Sequence, residues 1–306
     1  MKPLTENSAT KKENKLFQIP GHDIPHWATD ALPKGIIRNL PEDDYHAAKG
    51  VVSKSHLDRM ALCPAKYRYY LSQAADERTD AMIEGSAFHC IILEPDAFDG
   101  RYVELPDFGP MQSSTNRKLR DMWITDEARG RTVLKPGVVN KLLAMRDSVF
   151  AHDSARLLRG LETEVTALWV EPQTDLPCKA RADGISLLDG VFVDLKKTAT
   201  ADPRAWLRSA AKFRYHVQDA FYSRAFGENG CDIKNFVFVV VEDEPPYVTT
   251  FVQLSDDDRL AGEMLYMREL TQIRKAWDEM YFPGYDNGRV MDMRLPSYAT
   301  NEVINA

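Results

Sequence analysis

Three charged side chains flank a turn signal in the second half of the chain: Asp183 precedes Asp189-Gly190, and Asp194 and Lys196 follow it. Asp-Gly between two strand-like segments is a strong signal for a β-hairpin with a two-residue turn. That turn places Asp183 opposite Lys196 and Ile185 opposite Asp194, and side chains alternate between the two faces of a strand. The sequence therefore predicts two carboxylates and one ammonium on one face of a hairpin.

Such a set could hold a divalent cation next to a phosphate group. Mg²⁺ prefers a few carboxylate oxygens together with water and substrate phosphate oxygens. A neighbouring lysine could orient or help to deprotonate a metal-bound water, and it could offset charge on the attacked phosphate. The alternative is a solvated strand face whose charges form an ordinary surface ion pair. The spacing alone leaves both interpretations open.

A helical segment after the hairpin carries further polar residues. Gln218 and Tyr222 are separated by four positions, which puts them on one face of a helix. Basic residues outnumber the single nearby acidic residue Asp219, and this excess suits a phosphate backbone; they are Arg204, Arg208, Lys212, Arg214 and Arg224. The alternative is a solvated amphipathic helix.

The elements that must position these residues follow from the pattern of apolar residues. Alternation predicts strands around 165–169, 178–188, 191–196 and 247–254, and the wholly apolar run 236–241 predicts a strand buried on both faces. Asp202-Pro203 is a strong helix start, and it predicts one long helix to about Phe226. A last helix is predicted from about Asp256 to Met280.

The N-terminal part reads as an arm followed by helices. Residues 1–44 lack periodicity and are interpreted as a mobile arm, residues 45–280 as the folded domain, and residues 281–306 as a tail. Two short helices are predicted on either side of Pro64, and another over Ala81 to Leu93, which carries His89. The stretch from Leu105 to Pro136 is interpreted as a long loop with a short helix.

Composition excludes several classes of protein. Lys and Arg number 39 against 46 Asp and Glu, so a wholly basic nucleic-acid coat is excluded, although a local basic stripe is not. No stretch approaches eighteen consecutive apolar residues, so we expect neither a membrane span nor membrane partners. Four cysteines without a CxxC pair suit a reducing compartment, and we expect a cytoplasmic location.

Together these residues resemble a known superfamily. Asp183, Asp194-Leu195-Lys196 and Gln218-x-x-x-Tyr222 resemble the motifs of PD-(D/E)XK nucleases of the RecB type, which also carry a Gly-x-x-x-His motif like the segment from Gly85 to His89. The resemblance is closer to RecE-type exonucleases, the exonuclease VIII group. It rests on Asp44-Tyr45-His46, on the run from Val52 to Leu57, on Cys63-Pro64 and on the run from Tyr215 to Tyr222.

The resemblance implies a fold and an activity. The implied fold is an α/β restriction-endonuclease-like core, a mixed central sheet flanked by helices, with helical N-terminal additions. The implied activity is an Mg²⁺-dependent exodeoxyribonuclease, with Mn²⁺ as a substitute ion, that degrades one strand of linear double-stranded DNA from 5′ to 3′. Such enzymes form ring-shaped homo-oligomers and work with a single-strand annealing protein in phage-type recombination.

The resemblance also implies residue roles. His89, Asp183 and Asp194 would be metal ligands, with the carbonyl of Leu195 as a further ligand, and Lys196 would be the catalytic lysine. Other residues would bind DNA or position the site: Gln218, Tyr222, Arg214 and Glu164. Taken without the resemblance, His89 is an ordinary core histidine, and Glu164 is at least as well explained as an edge-strand glutamate.

Two other functions stay open at this point. The first is a non-catalytic DNA-end-binding or assembly module on the same fold, against which the intact Asp183, Asp194 and Lys196 argue. The second is a small-molecule hydrolase that uses two carboxylates as acid and base, for which the sequence has no substrate-pocket motif. Cleavage of linear duplex would discriminate the nuclease from both.

Overall fold

A six-stranded mixed sheet forms the centre of the protein. The computed structural model describes residues 35–48, 50–73 and 78–296. The strand order is β1-β4-β5-β6-β7-β8, and only β6 and β7 among these neighbours run parallel. The strands are β1 (Gly35–Ile37), β4 (Glu162–Glu171), β5 (Leu176–Ser186), β6 (Val191–Thr198), β7 (Asn235–Glu242) and β8 (Thr249–Val252), and a separate parallel pair comprises β2 (Tyr102–Glu104) and β3 (Thr132–Leu134).

Helices cover both faces of this sheet. One core lies between the sheet and α2, α3, α8, α9 and α10, and the other lies between the sheet and α4, α5 and α7. The helices are α1 (Glu42–Ala47), α2 (Lys54–Leu62), α3 (Pro64–Ser72), α4 (Asp80–Leu93), α5 (Pro95–Arg101), α6 (Ser114–Glu127), α7 (Val138–Ala151), α8 (Pro203–Lys212), α9 (Tyr215–Gly227) and α10 (Asp256–Asp278). This arrangement confirms the predicted α/β fold class.

Strand β7 explains why the sheet needs helices on both sides. Phe236, Phe238 and Val240 face one core, whereas Val239 and Val241 face the other. All are buried, as the uninterrupted apolar run predicted. Its parallel partner β6 has the same double burial, with Val193 and Leu195 in the second core.

The β5–β6 hairpin has a different register from the predicted one. Ser186 pairs with Val191, so the loop holds four residues, 187–190, and the prediction that Asp183 faces Lys196 is wrong. The regular pairing ends at Gly184 and Val193, one position before Asp183 and Asp194. Gly190 closes the loop with a φ of +68°, and an added Cβ there would collide with the carbonyl of Asp232.

The predicted long helix from residue 203 to about 226 is wrong in one respect. It is interrupted between α8 and α9, where Arg214 adopts a left-handed conformation with a φ of 58°. The break turns α9 so that its buried face, including Gln218, packs on the sheet. The last helix ends at Asp278, close to the predicted end.

Two N-terminal interpretations also require correction. Within residues 1–44, Gly35–Ile37 pairs with β4 and Glu42 begins α1, so the part from residue 35 belongs to the fold; residues 1–34 lie outside the described residues. The stretch 105–136 contains the 14-residue helix α6 and strand β3 rather than a loop with a short helix.

Two other expectations concern the whole chain. All four cysteines are free thiols, and each is buried, as the absence of a disulfide pattern predicted. Among residues 35–48, 50–73 and 78–296, no helix combines the length and the apolar character that crossing a bilayer requires.

Candidate active site

The site lies where β5 and β6 separate. Gly184 and Val193 form the last regular pair between the two strands. Beyond this pair, the Asp183 carboxylate accepts a hydrogen bond from the backbone N–H of Leu195 at 2.9 Å. A side chain therefore takes the place of a backbone carbonyl where the regular pairing ends, and the Asp183 charge lies close enough to act on Asp194.

Asp194 is almost fully buried at the base of this space. Its Oδ1 accepts a hydrogen bond of 2.5 Å from Nε2 of Gln218, and its Oδ2 lies 2.6 Å from Nζ of Lys196. Burial raises the pKa of the Asp194 carboxyl; the Lys196 ammonium opposes this shift, and the Asp183 charge adds to it. The carboxylate therefore depends on nearby positive charge to stay ionised.

Lys196 supplies that charge. Burial acts to lower its pKa, but the carboxylates of Asp194 and Asp183 outweigh burial and hold the pKa above its usual value. The ammonium also lies 4.7 Å from the centre of the Tyr215 ring, in cation–π contact. Lys196 is therefore a fixed cation in the site.

His89 reaches the site from α4. Its Nδ1 lies 3.3 Å from Oδ2 of Asp183. Five residues earlier on α4, Glu84 forms ion pairs with Lys197 of β6 at 2.6 Å and with Lys141 of α7 at 3.0 Å. These pairs tie α4 to the strand that carries Asp194. They also place Lys197 away from Lys196, on the opposite face, as strand alternation predicted.

Glu164 is on β4, at the position that faces Asp183 of the neighbouring strand β5. It falls between the pairs Thr163–Gly184 and Val165–Ala182, and it has a positive φ of 51°. Burial, with the Asp183 charge as the next cause, raises the pKa of Glu164 to about 7, although Arg181 lies 3.6 Å away and opposes the shift. The strained backbone and the raised pKa are features common at functional sites.

The helix α9 contributes two of the three residues predicted from it. Gln218 holds Asp194, and Tyr222 is close enough for the charges of Asp194 and Asp183 to add to the rise of its pKa, which burial dominates. Arg214 is not part of this group. Its guanidinium is directed into the protein, 3.3 Å from Asp58 and 2.5 Å from Glu269.

Sequence reasoning missed two residues beside the site. Tyr215 contacts Lys196, and Lys54 donates a hydrogen bond of 2.6 Å to the carbonyl of Phe213. Both residues lie in the runs 52–57 and 215–222, whose resemblance to known nucleases was the available signal. Burial lowers the pKa of Lys54, and the charge of Lys196 adds to that effect.

The donor set fits a divalent cation of the Mg²⁺ type. Oδ2 of Asp194 is buried and, apart from its ion pair with Lys196, accepts no hydrogen bond from the described residues. Within the part of the chain that the structure describes, no three His, Cys, Asp or Glu side chains are arranged to hold an ion by themselves. A cation bound through two carboxylates, with water and phosphate oxygens as the other ligands, is what Mg²⁺ chemistry favours.

Comparisons with known proteins identify the family and the fold. Residues 53–291 match the family described as "PDDEXK-like domain of unknown function (DUF3799)". The fold is similar to that of a "Putative exonuclease" from Eubacterium rectale, with a TM-score of 0.57, 14% identity, and coverage of 86% of this chain and 98% of that chain. The structure of SSO0001 covers 72% of this chain and 83% of its own at 12% identity, but its TM-score of 0.28 carries no argument. No curated protein matches the sequence.

Proposed function

The chain belongs to the PDDEXK-like domain family (DUF3799), and from that premise we propose that it is a metal-dependent exodeoxyribonuclease. Its substrate is linear double-stranded DNA, its cation is Mg²⁺ or Mn²⁺, and its direction is 5′ to 3′. The observation that carries the proposal is the meeting of Asp183, Asp194 and Lys196 at the point where β5 and β6 diverge. The family and the Eubacterium rectale structure support a nuclease, and the finer points rest on the resemblance to RecE-type exonucleases.

Each side chain has a distinct task in this proposal. Asp183 and Asp194 would hold the cation, His89 and the Leu195 carbonyl would be further candidate ligands, and Glu164 would add a carboxylate nearby. When bound, the cation supplies Lewis-acid polarisation of a phosphate oxygen. Gln218 fixes the Asp194 carboxylate through its 2.5 Å hydrogen bond, so that the carboxylate cannot rotate away from the cleft.

Lys196 acts on the phosphate in this scheme. The carboxylates of Asp194 and Asp183 hold its pKa above the usual lysine value, which favours the ammonium form. The ammonium stabilises negative charge that develops on the phosphate during in-line attack by water. Lys196 is therefore expected to raise the rate of cleavage rather than the affinity for DNA.

The proposed context is phage-type homologous recombination. Resection from a 5′ end would leave a 3′ single strand for an annealing protein, and a ring-shaped homo-oligomer would keep the enzyme on the duplex. The cytoplasmic location expected from the sequence fits this context.

The test is cleavage of a linear duplex labelled at either the 5′ or the 3′ end. We expect release of the 5′ label first with Mg²⁺, no release with EDTA, and loss of cleavage with retained DNA affinity for Asp194→Asn. The matched control is Asp189→Asn, an exposed carboxylate of the same hairpin, which should cleave like wild type. Binding of duplex ends without cleavage under any divalent metal would instead indicate a non-catalytic binding module.

A further inference from the structure

A cavity of about 320 Å³ lies on the outer side of the first core, separate from the carboxylates of the candidate active site. Its walls come from the end of α2, the start of α3, the middle of α10 and the segment after α10. Met60, Leu62 and Cys63 form the apolar side, Arg268 and Gln272 form a polar side, and Tyr285 forms the rim. A cavity of this size accommodates a small planar group such as a nucleobase.

Specific contacts hold the segment after α10 in place as a wall. The N–H of Ala65 donates a hydrogen bond of 3.0 Å to the carbonyl of Pro283. The Arg68 guanidinium lies over the rings of both Trp277 and Phe282, at 4.9 and 5.4 Å. Tyr285 therefore follows directly from an anchored stretch of chain and has a defined position.

The rim combines an exposed ring with positive charge. The Tyr285 side chain is exposed, and the Lys66 ammonium lies 5.5 Å from its ring centre. Arg268 is 56% exposed although it pairs with the buried Glu269, so its guanidinium remains accessible. Along the same surface, Arg59 lies 5.4 Å over the ring of Tyr70. Exposed rings between basic side chains are the usual surface for single-stranded nucleic acid.

Helix α2 connects this cavity with the candidate active site. Lys54, at its first position, donates to the carbonyl of Phe213; the Phe213 ring stacks on Tyr215, and Tyr215 contacts Lys196. Leu62, at its last position, lines the cavity. The two ends are separated by about 12 Å at 1.5 Å per residue.

We propose that this cavity binds a nucleobase of the single DNA strand that passes along α2, with Tyr285 stacking on the base and Lys66 and Arg268 contacting the flanking phosphates. This inference rests on the proposed nuclease function, because it assigns the cavity to a strand of that substrate. The occupant is assigned as nucleic acid because the exposed Tyr285 ring lies beside the Lys66 ammonium and the accessible Arg268 guanidinium, and a nucleotide offers both a flat base for the ring and a phosphate for the cations.

The experiment measures binding of fluorescein-labelled oligothymidylate by fluorescence anisotropy in EDTA, where cleavage does not occur. Tyr285→Ala should raise Kd at least fivefold, and Tyr285→Phe should restore it because the ring is kept. Arg268→Gln should weaken binding and lower the slope of log Kd against log salt concentration by about the amount expected for one lost phosphate contact. Phe150→Ala changes an exposed ring of α7, and Arg274→Gln changes a half-buried arginine of α10 that pairs with Asp278 and does not line the cavity; both should leave Kd unchanged.

A second measurement uses the wild-type protein, so its outcome does not depend on whether a variant folds. Oligonucleotides with 5-iododeoxyuridine should crosslink on irradiation to the wild-type peptide that contains Tyr285. A Kd for Tyr285→Ala within twofold of wild type, or crosslinks confined to other peptides, would overturn the proposal. The proposal would also be overturned if the wild type is an oligomer, Tyr285→Ala is a monomer, and both bind the oligonucleotide equally well, because the cavity would then be a protein interface.

The outcomes for the cavity and for catalysis are separable. Tyr285-dependent binding without duplex cleavage in Mg²⁺ would support the cavity and contradict the nuclease. Cleavage by wild type with a Tyr285→Ala variant that binds normally would support the nuclease and overturn the cavity.

Discussion

Replacement of Lys196 by Met tests the charge balance on which the candidate site depends. The change removes the ammonium that lies 2.6 Å from the Asp194 carboxylate, in a pair where Lys196 is 19% and Asp194 is 2% exposed. Removing one partner of a buried ion pair costs about 3–5 kcal/mol, because the other charge stays buried and unpaired. For a chain of this size, roughly 2 °C per kcal/mol gives a loss of about 6–10 °C in Tm at pH 8 in EDTA.

The same variant predicts a specific response to metal. With the ammonium gone, a divalent cation becomes the only strong positive partner of Asp183 and Asp194, so Mn²⁺ should raise the Tm of Lys196→Met more than that of wild type. Lowering the pH should also reduce the loss, because the raised pKa of Asp194 lets it take up a proton. Differential scanning fluorimetry with and without Mn²⁺ measures both effects.

The matched control is Lys197→Met, one position along the same strand. Lys197 pairs with Glu84 on the opposite face, and Lys141 remains as a second partner of Glu84. We expect a loss of about 1 kcal/mol, an Mn²⁺ response equal to that of wild type, and retained cleavage. Equal Tm values for Lys196→Met and Lys197→Met in EDTA, or equal responses to Mn²⁺, would refute the reasoning.

Three further changes test other parts of the structure. The Glu164 carboxyl has a pKa of about 7 and loses its proton between pH 6 and 8, so the Mn²⁺ affinity of the wild type should rise over that range. Glu164→Gln should make this rise smaller. Calorimetric titrations with the same pH dependence for both proteins would contradict the prediction. Burial lowers the pKa of Lys179 to about 7, whereas the ordinary value of 10.5 applies to the unfolded chain. Between pH 7 and 10.5 the unfolded chain therefore binds more protons than the folded one. The free energy of unfolding should rise over that range by up to about 1.4 kcal/mol per pH unit. Lys179→Met should flatten that rise in urea titrations from pH 7 to 9, and parallel curves would show that the lysine stays charged. Gly262→Ala should destabilise by about 3 kcal/mol or more, because its Cβ meets the carbonyl of His216, whereas Gly227→Ala has open space and should be neutral; equal Tm values for the two variants would mean that α9 and α10 separate easily.

The sequence was informative about faces and less so about register. The predicted Asp183–Lys196 pairing is wrong by two positions, because Ser186 rather than Leu188 pairs with Val191. The three charged residues still come together: Lys196 pairs with Asp194, and the Asp183 carboxylate binds the N–H of Leu195 between them. The Asp-Gly signal could not reveal the longer loop. The loop is closed by a local hydrogen bond from the N–H of Gly190 to the carbonyl of Ser186. Gly190 also packs closely on residue 232, and this contact between distant parts of the chain is invisible to a local pattern.

The break between α8 and α9 was hidden for a related reason. Arg214 adopts a conformation that few non-glycine residues favour, and nothing in its immediate sequence requires it. Its guanidinium explains the break, because it joins Asp58 of α2 to Glu269 of α10. A basic residue that looked suited to DNA therefore holds three helices together, which no local pattern could indicate.

Charge and strand geometry are coupled at the centre of the site. Asp183 occupies a backbone acceptor position on β5, since it receives the N–H of Leu195, and this same contact ends the regular pairing of β5 with β6. Strand β6 is buried on both sides by α4 and α9, so a carboxylate in its middle depends on its neighbours for compensation of its charge. Asp194 has these neighbours in Gln218 and Lys196. Asp183 brings the second carboxylate to the same position of β6, so the side chain that is predicted to bind the cation is also the one that ends the regular pairing of the hairpin.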